Sequence, residues 1–514
     1  MISQNQLPFQ YEISKTETGL TAFAGLPLYV ELASQSGLIE TIKKSLKNSA
    51  QGWGDDQIML TLILLNLIGG DCVDDVNRLE ADEGMSQLFL KIETFGMRRQ
   101  ARRLYEKRWR KEKVRAFPSA SAIHRFLNKF HHGVEEDKRV EGKALIPAHN
   151  MFLTKLLSIN STLLNFAQLQ DPCEVATLDQ DATLAETNKR EALYSYKKFK
   201  AYQPLNTYWH EKGLLVHSEF RDGNVPAGFQ QTRCLEEALL QLPEGIKTVR
   251  LRSDSAGYQE KLLQYCAEGK NERFGIIDFA IAARVSSDFK TAVKSLKEKA
   301  WKPIYKKDPY SDDGQIKTEQ EYAEVCFVPN WVAVSDKKVF YRYIAIREAL
   351  VVQEEFECIE EIKKELPFQT ISVQKKHYKL FAIVTNRDLD GNELIHWHRE
   401  RCGDSEKIHS IQKADFAGGQ FPSKYFGANA AWWHIMILSL NLNRLMQEYA
   451  LPKKYKTRRM KSIRLNIIGI AGKFIQHARG FTLRLGSKRG VEIQLQFIRD
   501  NIANLLRAPP LFSG

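Results

Sequence analysis

The sequence predicts a multidomain chain of the α+β and α/β type. A mixed-sheet core is interrupted by a strand-rich insertion, preceded by helices and followed by a basic segment. Three observations lead there. Between residues 174 and 281 the predicted elements run β-β-β-α-β-α-β. The stretch 285–385 is rich in strand-like runs and too long for a loop. Residues 1–95 instead carry apolar side chains at helical spacing.

Size and composition agree with this. The chain has 514 residues, 43% hydrophobic and 27% charged, enough for two to four domains with sizeable cores. Its net charge of +13 and pI near 9.2 favour polyanionic partners, nucleic acid before an anionic membrane surface. The seven cysteines are scattered, with no C-x-x-C pair and no zinc-type Cys/His spacing, as for free thiols in a reducing cytosol. Met1-Ile-Ser-Gln-Asn lacks the basic flank and apolar run of a signal peptide. The longest apolar runs, Ile58–Ile68 and Trp432–Leu442, fall short of the ~20 residues of a membrane span. The expectation is a cytoplasmic protein without a membrane partner.

Taken in order, Leu28–Leu46 and Ile58–Ile68 read as helices, the second ended by Gly69-Gly70. The acids Asp71, Asp74, Asp75, Glu80, Asp82 and Glu83 read as a solvated face, without the spacing of a cation loop. Residues 98–115 form the densest basic run and include Arg102, Arg103 and Arg108. After Pro118, a serine cap at Ser119 or Ser121 opens a helix carrying His124, Arg125 and Lys129. Together they resemble a basic arm followed by a DNA-reading helix. Residues 145–170 form an amphipathic helix that ends the first region, 1–170.

Strands begin at Glu174–Thr183. Leu205–His210 and Leu214–Arg221 follow, joined by Glu211-Lys212-Gly213 as a turn. Next come helix Thr232–Leu242, strand Lys247–Asp254, helix Gly257–Cys266 and strand Arg273–Ile281. This order matches a ribonuclease H-like core, with its first part at 171–284. The insertion, 285–390, carries the runs Trp331–Val334, Val339–Ile346, Thr370–Val373 and Lys379–Thr385. The second part of the core, 391–450, opens with a long helix holding Glu406 and continues with the apolar helix Ala428–Leu445. Residues 451–514 are basic again and include Arg458 and Arg459.

Strand side chains alternate, so Asp179 and Asp181 share one face, roughly 6–7 Å apart. Two like charges there need a cation, a proton or a basic partner. Asp254 closes a second strand, at the end where open α/β sheets bind ligands; the bland alternative is a helix cap. Glu406 and Lys413 fall on one helix face, the acid toward a metal and the lysine toward a phosphate. Asp181, Asp254 and Glu406 are therefore read as one Mg²⁺ site. The D-x-T form Asp181-Ala182-Thr183 favours Asp181 as first ligand. Asp179 remains either an alternative ligand or a supporting acid. Two Mg²⁺ ions, with Mn²⁺ as a substitute, would activate a water or a 3′-hydroxyl and stabilise the leaving oxygen.

These residues resemble a known family. T-G-L-T-A-F-A-G-L-P-L near the start, L-D-Q-D-A-T, S-Y-K-K-F-K-A-Y-Q-P-L from Ser195, R-D-G-N at Arg221, R-S-D-S-A-G-Y at Arg252 and the Glu406 helix are similar to DDE transposases of bacterial insertion sequences. The likeness is to the cut-and-paste group with a β-strand insertion between the second Asp and the Glu. The family's Glu helix follows Y-x2-R-x3-E-x6-K. Here His398 stands at the Tyr position, and Arg401 precedes Glu406 by five residues rather than four. Five residues turn a helix by about 500°, carrying Arg401 about 140° away from Glu406 unless the helix is distorted at Gly403. The resemblance implies that His398 and Arg401 bind the transposon end. It also implies a homodimer in a synaptic complex on double-stranded terminal inverted repeats, joining 3′-hydroxyl ends to target DNA in the bacterial nucleoid. Trp301 or Trp331 would stack on a flipped base. A Mg²⁺-dependent nuclease or resolvase on the same core, or an inactive DNA-binding relic, are the alternatives.

Overall fold

Val175–Ala182 is the organising strand: residues 176–180 are buried on both faces, with Ala176 and Leu178 on one and Thr177 and Asp179 on the other. In this computed structural model, residues 19–46, 52–94, 97–112, 115–308, 314–333, 341–350, 368–373, 376–477, 480–486 and 489–508 are described. The organising strand pairs antiparallel with Leu205–Trp209, which pairs with the edge strand Leu214–Glu219. On its other side it pairs parallel with Thr248–Ser253, which pairs parallel with Asp278–Ala282. In chain order the five strands therefore stand 3-2-1-4-5 across the sheet.

The sheet does not stop there. Lys376–Thr385 pairs antiparallel with Asp278–Ala282, and Arg342–Ala349, Gln315–Val325 and Lys302–Lys307 follow in turn. Thr370–Val373 adds to Lys376–Thr385 on the side of this path. The strand-rich stretch thus continues the core sheet through backbone hydrogen bonds. One of its expected strands is corrected: over Trp331–Val334 the described residues form a short helix, Asn330–Ala333, and Val334 lies outside them. The first part of Val339–Ile346 also lies outside the described residues.

The expected single helix Leu28–Leu46 is two, Leu26–Gln35 and Leu38–Ser45. Gly37, with φ +76°, makes the break between them in a conformation that costs glycine little. Asp55–Ile68 is buried along its whole length and ends at Gly69, φ +92°. Ser119 caps Ala120–Asn128 by accepting from the Ala122 amide. Phe426–Leu445 is buried almost throughout and packs against Met151–Gln170 and Asp55–Ile68. Among the described residues no single helix is long and apolar enough to cross a membrane.

Described segments from the N-terminal and C-terminal regions meet. Leu20–Thr21 pairs with Gly472–His477, itself in a hairpin with Gly480–Leu485. The helix Arg489–Asn504 lies on Leu26–Gln35, where Arg499 Nε bonds Glu31 at 2.9 Å. Arg464 donates to the carbonyls of Leu67 and Asn66 at the end of the buried helix. Arg464 and Arg499, from the C-terminal basic region, thus hold the N-terminal helices.

Candidate active site

The parallel register sets Asp179 opposite Arg252, and the two side chains pair. Arg252 Nε donates to Asp179 Oδ1 at 2.6 Å and Nη2 to Oδ2 at 2.9 Å, with both side chains fully buried. The other Arg252 amine donates to the Trp397 carbonyl and to Glu400 at 2.8 Å. Both Asp179 oxygens are engaged in this bidentate fork, which makes the acid the buried counter-charge of Arg252.

Asp181 sits two positions further, past the last paired residues Gln180 and Ser253. That puts it beside Asp254 at the C-terminal rim of two adjacent parallel strands. Burial pushes the Asp181 carboxyl up to about 6; Arg401 opposes this, and Asp254 adds to the rise. The Arg401 Nη1–Asp181 distance is 3.6 Å, an ion pair without a tight hydrogen bond. Asp254 caps the short turn Ser255–Gly257 through Oδ1, which accepts from the Ala256 amide at 3.0 Å. A carboxylate can accept several bonds, so the cap leaves free lone pairs on the same group. A Cβ on Gly257 would come within 2.6 Å of Ser253 Oγ, so glycine lets the turn fold back on the strand. From beneath, Gln231 Nε2 ties Gln180 and Ser253 together, 3.2 and 3.0 Å away.

The helix Gly391–Ala414, capped by Asp390, crosses this rim. His398 Nε2 lies 3.2 Å from the Ser253 carbonyl, Arg401 meets Asp181, and Gln412 accepts from Asn206 at 3.1 Å. Lys413 Nζ donates to Thr183 Oγ1 and the Leu184 carbonyl at 3.1 and 3.2 Å. Glu406 is exposed and lies between these contact points. Seven residues of helix leave it within about 20° of the Lys413 heading, on the line that reaches the residues just after Asp181. The helix runs unbroken through Gly403, so the expected distortion is absent and Arg401 and Glu406 diverge by about 140°. Asp181, Asp254 and Glu406 are not among the groups of described residues whose ligand atoms lie within 4.8 Å of one another. The two aspartates meet at the rim, whereas the exposed Glu406 side chain points away from the Arg401 face that meets them.

His398 and Arg401 are both buried. Burial pushes His398 down to about 4, with Arg401 adding to the effect, so it is neutral at pH 7. Here the two side chains brace the rim rather than face solvent. Of the other basic candidates, Arg103, Arg125 and Arg458 are exposed. Arg102 is half-buried against the Met97 carbonyl, and Lys129 is held by Asp55 at 2.7 Å. Arg459 forks onto Asp415 at 2.7 and 3.1 Å. The Arg108 side chain lies outside the described residues. Trp301 has one face against the Arg347 guanidinium at 4.2 Å, and Trp331 packs on Tyr341; both are partly buried.

Sequence reasoning missed Arg252 and Glu400. The available signal was an arginine two positions before Asp254, which a parallel register brings level with Asp179.

The rim fits a divalent cation. Two carboxylates from different strands converge, burial and the Asp254 charge resist ionisation of Asp181, and a bound cation would relieve both.

A family model described as Transposase DDE domain group 1 matches residues 10–507. A cryo-EM structure of a piggyBac transposase synaptic complex with hairpin DNA is similar over 96% of this chain and 85% of that chain, at 10% identity and a TM-score of 0.32. No curated protein matches.

Proposed function

We propose that this chain, which belongs to the transposase DDE domain group 1 family, is a cut-and-paste DNA transposase. It binds the terminal inverted repeats of its element, cuts the ends by Mg²⁺-dependent hydrolysis and joins the freed 3′-hydroxyls to target DNA. What carries this reading is the convergence of Asp181 and Asp254 at one sheet rim beneath the helix of Glu406 and Lys413. The 3-2-1-4-5 strand order supports a ribonuclease H-like core for it.

Asp181 and Asp254 would hold the divalent cations, with Glu406 closing from the helix. When bound, they supply Lewis acidity at the phosphodiester and lower the pKa of the attacking hydroxyl or water. Asp179 and Arg252 fix the strand pair so that the two acids keep their spacing. Arg401 balances Asp181 until a cation takes over that charge. Lys413, beside Thr183 and Leu184, is within a side chain's reach of a phosphate laid on the rim. Exposed Arg103, Arg125 and Arg458 would contact the DNA backbone and position it. A homodimer would bring two such rims to paired ends.

The test is an excision and joining assay with the element's own flanking DNA, Mg²⁺ and a target plasmid. Joined product with wild type, and neither cutting nor joining with Asp181→Asn or Asp254→Asn, is the expected result. Cutting without joining of pre-cut ends would favour a nuclease, and full activity in both variants would sink the site.

A further inference from the structure

We propose that His217, Glu219 and Glu237 hold a structural divalent cation of the zinc class at the edge of the sheet, separate from the Asp181–Asp254 rim. His217 and Glu219 alternate on the edge strand Leu214–Glu219, so they share a face. The helix Gln231–Gln241 covers that face and presents Arg233 and Glu237, one turn apart.

The ligand atoms of the three residues lie within 4.8 Å of one another. A four-coordinate zinc with bonds of about 2.0–2.2 Å separates its ligand atoms by about 3.3–3.6 Å. His217 Nε2 lies 3.2 Å from Glu237 Oε2, and His149 Nε2 lies 3.3 Å from Glu219 Oε1. His149 is not in that group, so a water would take the fourth position. These contacts have the length of a coordination edge; poorly aligned as hydrogen bonds, they are ion pairs where the imidazoles are protonated. His217 Nε2 and Glu219 Oε1 have no hydrogen-bond partner, although the two residues are only 8% and 0% exposed. Buried polar atoms of this kind ordinarily find a partner.

Arg233 accounts for the remaining oxygens. It donates to Glu219 Oε2 at 2.8 Å and to Glu237 Oε1. Each carboxylate therefore has its outer oxygen fixed by the guanidinium and its inner oxygen turned toward an imidazole. Outer partners of this kind orient the ligands of a metal site. Mixed imidazole and carboxylate donors suit zinc, and His217 and Glu219 bring theirs from a buried strand face.

The test uses tag-free full-length protein carrying Asp181→Asn and Asp254→Asn, so that cations at the rim do not contribute. After equilibrium dialysis against micromolar zinc, elemental analysis should find about one zinc per chain. Cobalt in its place should give visible absorption bands of a four-coordinate site. His217→Ala should lose the ion. Glu237→Gln, at a partly exposed position, keeps the shape of the site and should weaken zinc binding by about tenfold or more, and Arg233→Lys by about 10–100-fold. Absence of stoichiometric zinc in the folded parent, or equal retention of zinc by folded Glu237→Gln, would overturn the proposal and leave an ion-pair network in its place.

Discussion

The middle and the rim of the Val175–Ala182 strand carry the same side chain in opposite circumstances. At the middle, Asp179 meets Arg252 in a fork with both partners fully buried. At the rim, Asp181 meets a second acid, Asp254, and a looser Arg401 at 3.6 Å. Two residues of strand separate a satisfied structural charge from an unsatisfied one available for chemistry. Balanced charge builds the sheet; unbalanced charge, kept at the edge of the crevice, is what a cation can exploit.

The comparison breaks most readily at the rim. Asp181→Asn or Asp254→Asn should reduce cleavage by roughly 10³-fold or more, the equivalent of the several kcal/mol that metal-assisted charge stabilisation supplies, while circular dichroism stays unchanged. The middle should respond in the other currency. Asp179→Asn leaves the buried guanidinium only the half-exposed Glu400 as counter-charge and should cost about 3 kcal/mol in denaturant unfolding. Changing Arg252→Met in the same chain should recover part of that loss, because both charges then leave the interior together.

A subtler contrast lies in pH. The folded Asp181 carboxyl is raised from 3.8 to about 6, so between these values the native state binds more protons than the unfolded one. In cation-free protein this contribution is full below pH 4, falls as pH rises and is gone above about 6, an effect on the order of 2–3 kcal/mol. Asp181→Asn should flatten that slope in a pH series of thermal melts, and Mg²⁺ should restore stability at pH 8 to wild type alone. The smallest effect belongs to Glu400, half-exposed at the outer end of the Arg252 network. Glu400→Gln should shift stability by less than about 1 kcal/mol.

What the sequence made legible follows from local physics. Strand alternation placed Asp179 and Asp181 on one face, and the strand-end position of Asp254 put it in the crevice. The serine cap at Ser119 and the stop at Gly69 were equally local, and both are present. What escaped depends on register and tertiary packing. That Arg252 would claim Asp179 requires knowing which residues stand level across two strands far apart in sequence. The break at Gly37 and the helix at Asn330–Ala333 override runs of apolar residues that suit either state. Continuation of the sheet through Lys376–Thr385 has no local signature, because pairing partners are chosen in space. His217-Ser218-Glu219 spells an alternating ligand pair, but only the overlying helix brings Glu237 and Arg233 to it.

The most direct measurement is anomalous scattering from crystals soaked in Mn²⁺. The predicted result is density between Asp181 and Asp254, joined by Glu406 as the helix closes, with none at Asp179. A cation bound at Asp179 with Arg252 displaced, or Mn²⁺ bound only far from this rim, would contradict it.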